Sequence, residues 1–456
     1  QNNNLSMGSS VFSLDSTTLT IEKTTFSGYL HRHWNSGPDS TIFRISSGTA
    51  IIRDVDIFSN SLNTQSAVFR TSNNAQLRIE NLQYYSNNQD DISNFINSEA
   101  SSIVILNSNI TMNSFTSASQ FNSIILIRNS GLLQVSETNI SKNTFSGQIK
   151  VFELLGASQF QMNLSYLDEN IFSSPTVISS ILISDITENS ISLNFSSISG
   201  NTFTGGFHLI LIEKNNDFIT NGLTIRGNSM TATIFSNYFW LRYDSVNKKT
   251  FNFLNLLFLE NYATTSSQNV TLVHSDFHGI VNMINTRFSS NVFESSGYIL
   301  TIKNETKLNF DRLVIENTTI STCSDSSLLF TEKGTEGNIT NSRFVWTFSG
   351  CTCRHLSLSH SDLSFSYLEI SNNWNSGDFI TILISTLNGN ISFKDVVMEN
   401  NTFLKRANRD INLINTMQTI LNVQNLIVKG NTFYTTLTTN NYVLTFRANS
   451  LAILED

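Results

Sequence analysis

An Asn or Thr recurs along this chain with an apolar residue three places before it and, in every copy but the first, another eight places before it. The interval is about 26 to 36 residues. The fifteen anchors are Thr24, Asn60, Asn87, Asn113, Asn143, Asn170, Asn201, Thr233, Asn261, Asn291, Thr318, Thr347, Asn373, Asn401 and Asn431. The plainest copies read Asn-Thr-Phe, as at Asn143, Asn201, Asn401 and Asn431. A unit repeated end to end buries its apolar face only against its neighbours, so the period decides the architecture before any single residue is weighed. It predicts one elongated domain, residues 1–456 with coils from about residue 11 onward, where length alone would suggest about three domains.

Position minus 3 from the anchor is apolar in every copy, for example Ile57, Tyr84, Ile110, Ile140, Leu167 and Met230. Position minus 8 is apolar in all but the first, for example Ile79, Ile105, Val135, Met162 and Ile225. Positions minus 10 and minus 8 alternate with polar residues, the period of two expected of a strand. The odd spacing from minus 8 to minus 5 forbids a continuous strand, so a corner must lie between them. A third apolar run precedes them, as in Ile124-Ile125-Leu126-Ile127 and Leu209-Ile210-Leu211-Ile212. Three short strands and three bends per repeat predict an all-β fold, a single-stranded parallel β-helix solenoid of about 15 coils. With coils about 4.8 Å apart, fifteen would make a rod of roughly 70 Å.

The anchor is expected at a corner, where Asn tolerates left-handed backbone angles, and its amides are expected to form a ladder on the outside. Two residues later Phe26, Phe115, Phe145, Phe172, Phe203, Phe235, Phe293, Phe403 and Phe433 turn inward to stack. Length varies mainly after this Phe, so loops are expected there. The longest lies between Thr24 and Asn60 and includes His31-Arg32-His33-Trp34.

Composition supports a packed but weakly ionic molecule: 39% of residues are hydrophobic, 14% are charged and 34 are Phe. The aromatic content argues against an Asn-rich disordered tract. A net charge of -8 disfavours a nucleic-acid partner, which needs a basic face. No apolar run reaches the roughly 18 residues of a membrane span. Leu451 and Ile453 begin another copy of the repeat, so neighbouring domains or copies of the chain are expected to meet it end to end.

The coil pattern resembles the right-handed, pectin-lyase-like β-helix superfamily, and the Asn- and Phe-rich Asn-Thr-Phe style resembles large β-helix surface proteins of ciliates and other protists. The resemblance runs from about Val11 to the end and implies fold more than function, because that superfamily includes polysaccharide lyases, hydrolases, adhesins and inert spacers.

Polysaccharide-cleaving β-helices cluster acids on one strand face. The hydrolase signature that the resemblance implies would place NTD, DD, GHG and RIK elements on successive coils. Asp90-Asp91 and Phe277-His278-Gly279 are fragments of it only, so no catalytic residue is assigned. His31 with His33 falls short of a closed metal site, as do His274, Asp276, His278, His355 and His360. Neither a metal nor a cofactor is expected.

Cys323 and Cys351 lie one coil apart, with Cys353 the rival partner. Adjacent coils bring equivalent Cα atoms within disulfide range, which predicts a bond and an oxidising compartment. Asn-X-Ser/Thr sequons occur at Asn109, Asn139, Asn163, Asn194, Asn269, Asn304, Asn338 and Asn390, and also at Asn4, Asn317 and Asn400. Alternation points Asn109, Asn139, Asn163, Asn194 and Asn338 outward, where N-linked glycans fit. The expected function is a non-catalytic structural segment of an extracellular or cell-surface glycoprotein. The alternatives are a carbohydrate-binding or adhesion module using Trp34, Trp240 or Trp374, and a polysaccharide lyase or hydrolase.

Overall fold

The computed structural model describes the chain outside residues 1–2, 6–9, 32–40, 63–65, 91–93, 185–188, 214–215, 233–235, 243–248, 266–269, 277, 295–296, 322–325, 346, 350–352, 378–381, 406–410, 436–440, 448–449 and 456. Among the described residues every regular element is a strand. None is a helix long and apolar enough to cross a membrane. The chain divides into two compact units, Gln1–Ser229 and Met230–Asp456, and each is described by itself.

In the first unit one side is a parallel stack of Thr17–Ser27, Gly48–Phe58, Gln76–Glu80, Ser102–Leu106, Leu132–Ser136, Gln159–Asn163, Ser190–Asn194 and Asp217–Asn221. Its register aligns Leu77, Ile103, Leu133, Phe160, Ile191 and Phe218 in one buried column. The second side runs from Gln83–Tyr85 through Asn109–Thr111, Asn139–Ser141, Tyr166–Asp168 and Ser197–Ser199 to Thr224–Arg226, aligning Tyr84, Ile110, Ile140, Leu167, Ile198 and Ile225. The third is built from Asn94–Glu99, Ser114–Arg128, Thr144–Leu155, Ile171–Ser184 and Thr202–Glu213.

The second unit repeats the plan, its first side stacking Lys249–Leu254, Gly279–Ile284, Lys307–Asp311, Thr335–Thr340, Ser361–Ser371, Ile382–Glu399, Ile411–Lys429 and Leu451–Glu455. The fold is therefore a parallel β-solenoid. Among the described residues the first side has eight levels in each unit, slightly more than the fifteen coils expected in all, because Leu451–Glu455 opens a level that has no anchor of its own.

Two of the corners turn on a single residue with positive φ between extended segments, while the third uses a consecutive pair in several coils, as at Asn73-Asn74 and Asn129-Ser130. The single residues stand six places before the anchors, as at Asp54, Asn81, Asn107, Glu137, Leu164 and Phe195, and one place before them, as at Ser59, Ser86, Met112, Lys142 and Glu169. The first set is the corner that the odd minus 8 to minus 5 spacing demands. The second corrects the expectation that the anchor itself is left-handed: the residue before it turns, at a cost of about 1 kcal/mol or more for a non-Gly residue. That leaves the anchor's own N–H directed along the axis.

Two anchors are also corrected. Thr24 pairs with Val55, while Ile21 pairs with Ile52 and Phe26 with Ile57, so the first anchor position falls on Tyr29. Phe26 is accordingly a minus 3 residue. In the eighth coil the anchor is Asn228 rather than Thr233, with Ile225 at minus 3. Thr233 and Phe235 themselves lie outside the described residues. The reason is arithmetical: the two apolar positions are five residues apart, so an apolar pair such as Ile225 and Met230 fits two registers.

Candidate functional site

The recurring Asn is the most organised polar feature of the molecule, and it lies inside, contrary to the expected outer ladder. Asn60, Asn87, Asn113, Asn143, Asn170, Asn201, Asn228, Asn261, Asn291, Asn373 and Asn401 are each no more than 2% exposed. A buried amide is tolerated only when its donors and acceptor are satisfied. In the middle of the first unit, Asn143 Nδ2 donates to Asn170 Oδ1 at 3.0 Å and to the Ile110 carbonyl at 2.8 Å. Asn143 Oδ1 accepts from the Asn113 backbone N–H and from Asn113 Nδ2, both at 3.0 Å. The carbonyl used is that of the minus 3 residue one turn back, so each anchor ties three turns together.

The same pattern links Asn60 to Asn87 and onward through Asn113, Asn143, Asn170 and Asn201 to Asn228. In the second unit it links Asn261 to Asn291, and Asn373 through Asn401 to Asn431. Between these runs Thr318 and Thr347 take the anchor, as the sequence indicated. Thr318 Oγ1 bonds locally to the Glu316 carbonyl. Thr347 keeps the axial link, its N–H and Oγ1 both donating to Asn373 Oδ1, at 2.9 and 2.7 Å.

An outer amide ladder does exist, at the minus 6 corner. Asn81 donates to Asp54, and Asn107 to Asn81, at 2.8 and 2.7 Å. A third polar column, which periodicity alone missed, is the buried hydroxyl at minus 5. Ser108, Thr138, Ser165 and Ser196 each donate to the carbonyl two residues earlier. Its signal was present: these small residues stand where other coils place Leu or Val.

His355 fills the space beside Thr347, its Nε2 lying 2.9 Å from Thr347 Oγ1. Because that hydroxyl's proton goes to Asn373, Nε2–H is the donor, and burial keeps the ring neutral with its lone pair at Nδ1. Nδ1 is buried without a hydrogen-bond partner among the described residues. Burial, opposed by a hydrogen bond to Asn373, lowers this imidazole to about 4. His274 is likewise lowered to about 4, by burial and by Lys303, with Asp276 opposing. A depressed histidine leaves stability intact above the unfolded value near 6.5 and removes it as pH falls toward 4. We therefore expect the second unit to lose up to about 3 kcal/mol between pH 6.5 and 4 through His355. His355→Gln should flatten that part of the profile in urea melts across the range, and an unchanged profile would refute the assignment.

One buried ion pair was not legible in the sequence. Lys150 Nζ lies 2.6 Å from Glu153 Oε1, both side chains are about a tenth exposed, and Ser123 Oγ of the preceding turn donates to Glu153 Oε2. Mutual compensation lets these charges stay out of water. The contact braces two turns of the third side.

The remaining sequence candidates fall as follows. Asn109, Asn139, Asn163, Asn194 and Asn304 are half-buried on outer positions, while Asn338 and Asn390 are exposed. Asn109 donates to Gln83, Asn194 to Asn163 and to Ser192, Asn304 to Asp276, and Asn390 to Asp362. Asn269 lies outside the described residues, as do Cys323 and Cys351. The Cys353 backbone pairs with Ser326. His33 and Trp34 also lie outside, and only the backbone of His31 is described. Asp90 ends a short strand, Asp91 and Phe277 are outside, and His278 Nδ1 lies 3.4 Å from Glu305. Among the described residues no group of three or more His, Cys, Asp or Glu is placed to hold a metal. Trp240 lies under the Arg242 guanidinium at 5.5 Å, whereas Trp374 is 48% exposed.

No family model matches the chain, and no curated protein matches it. Among solved structures, a mutant tailspike protein of Escherichia coli bacteriophage HK620 in complex with a hexasaccharide is 10% identical. It covers 91% of this chain and 73% of its own, with a TM-score of 0.31. A PL6-family alginate lyase is 8% identical, covering 96% of this chain and all of its own, with a TM-score of 0.18. The fold assignment rests on the strand pairings of this chain itself.

Proposed function

We propose that the chain is a non-catalytic structural segment of an extracellular or cell-surface glycoprotein. It would serve as a stiff spacer, coat or filament component, with residues 1–456 acting as one β-helix domain that carries N-linked glycans and meets neighbouring domains or copies of itself end to end. The observation that carries this reading is the buried amide ladder. Seven successive anchors of the first unit, Asn60 to Asn228, spend their side-chain hydrogen bonds on the next and previous turns. Backbone pairing on three sides adds to that column, so separating two turns breaks many bonds at once. A solenoid bonded in this way suits mechanical continuity, and an open strand edge at the end of any such solenoid can pair with further strands.

The alternative reading is a carbohydrate-binding module. Its support is the exposure of Trp374 and Tyr434, 48% and 58%, two turns apart on the second unit's third side, where Trp374 aligns with Thr402 and Thr432 and Tyr434 with Leu404 and Ser376. Electron microscopy of the protein from its native source, together with a glycan array, separates the two. Fibres, a lattice or a surface coat with no sugar bound would support the structural reading. Isolated molecules that bind a defined glycan would overturn it.

A further inference from the structure

The structure sorts the sequons by what their side-chain nitrogens already do. Asn194 Nδ2 spends both hydrogens, on Asn163 Oδ1 at 3.0 Å and on Ser192 Oγ at 2.9 Å. Its neighbour Asn163, paired with it on the adjacent turn, uses only its oxygen in that contact. Among the described residues Asn163 Nδ2 makes no hydrogen bond. An N-linked sugar replaces one Nδ2 hydrogen, so at Asn194 it would break an existing bond, whereas at Asn163 it breaks none.

A second observation converges on the same residue. Leu164 and Tyr166 follow Asn163 closely in sequence and are each 47% exposed, and Phe195, at the Leu164 corner one turn on, is 59% exposed. Leu164 and Phe195 occupy the same left-handed corner on adjacent turns, with φ of 47° and 45°. The Phe195 ring leans over Gly222, on the turn beyond and away from Asn163, where a Cβ would come within 2.8 Å of it. Exposed apolar clusters of this kind usually have something to cover them, and a hexosamine ring offers an apolar C–H face that suits an aromatic one.

We propose that Asn163 carries an N-linked glycan whose first sugar covers Leu164 and Tyr166. This rests on the glycoprotein reading above. In the transfer, the Nδ2–C1 bond forms and the C1–O bond to a lipid diphosphate carrier breaks. The carrier leaves with the electron pair, and the amide gives one proton to solvent. The folded molecule keeps the Asn194 to Asn163 hydrogen bond, because only the Asn163 oxygen takes part in it.

The test is the full chain secreted from a glycosylating eukaryotic cell, mapped by glycopeptide mass spectrometry. Asn163 should be occupied in most molecules and Asn194 in few. An endoglycosidase that leaves the first sugar should not change binding of an apolar dye. An amidase that removes the whole glycan should raise it at least twofold, and the double substitution Leu164→Ser with Tyr166→Ser, which keeps the sequon, should abolish that rise. Glycans confined to other sequons, or a dye signal indifferent to the first sugar, would overturn this assignment and leave the glycoprotein reading standing. A secreted chain bare at every sequon would overturn both.

Discussion

Asn143→Ala should cost the first unit about 3–5 kcal/mol, far more than an ordinary polar substitution. The side chain is fully buried and makes four hydrogen bonds, two given and two accepted. Truncation leaves the Ile110 carbonyl, the Asn170 Oδ1 and two Asn113 donors short of a partner. Each unsatisfied buried group carries a penalty of about 1–3 kcal/mol before relaxation or water entry softens it. Asn143→Thr should lose about half as much, because Thr347 shows that a hydroxyl at the anchor still donates along the axis. Gln134→Ala supplies the control. Its side chain joins an outward pair with Gln161 at 3.1 Å, and its loss should fall within about 0.5 kcal/mol. Urea denaturation of the three variants checks the order, and equal losses for Asn143→Ala and Gln134→Ala would mean the ladder carries no special weight.

Phe172→Ala should cost a similar amount, about 3–5 kcal/mol, for a different reason. Phe172 is 1% exposed and stands within a row of rings. Phe145 lies 4.5 Å away at 14°, Phe203 4.9 Å away at 25°, and Phe207 5.2 Å away. Removing the ring opens a cavity whose walls are set by two neighbouring turns, and backbone pairing on three sides keeps those turns from collapsing into it. Phe172→Leu keeps most of the volume and should lose less than about 1.5 kcal/mol. A loss below 1 kcal/mol for the alanine variant, read from the same melts, would show that the rings are not close-packed.

Much of this was legible from spacing. Positions minus 10, minus 8 and minus 3 are interior columns, and Phe115, Phe145, Phe172 and Phe203 stack as the pattern required. What spacing left open was the side on which the anchor lies. Polar character alone suggested the outside, and only the satisfaction of every amide group on the turns above and below makes the inside favourable. The outward ladder expected of Asn instead belongs to Asn81 and Asn107, six places before their anchors, at corners that the same spacing had located. Register failed at Thr24 and Thr233, where an apolar pair five residues apart satisfies two alignments. The contact of Ser123 with Glu153 joins residues 30 apart in sequence and has no periodic signature. The difference between Asn163 and Asn194 as sugar acceptors is a matter of hydrogen-bond direction, which a sequon does not encode.

The recurring Asn is an interior ladder binding turn to turn. A cryo-electron microscopy or crystallographic map of the full chain tests it most directly. Continuous side-chain density is expected from Asn60 to Asn228 inside the coil, each Nδ2 within hydrogen-bonding distance of the next Oδ1. Those side chains turned outward to solvent, or carrying sugar, would contradict it.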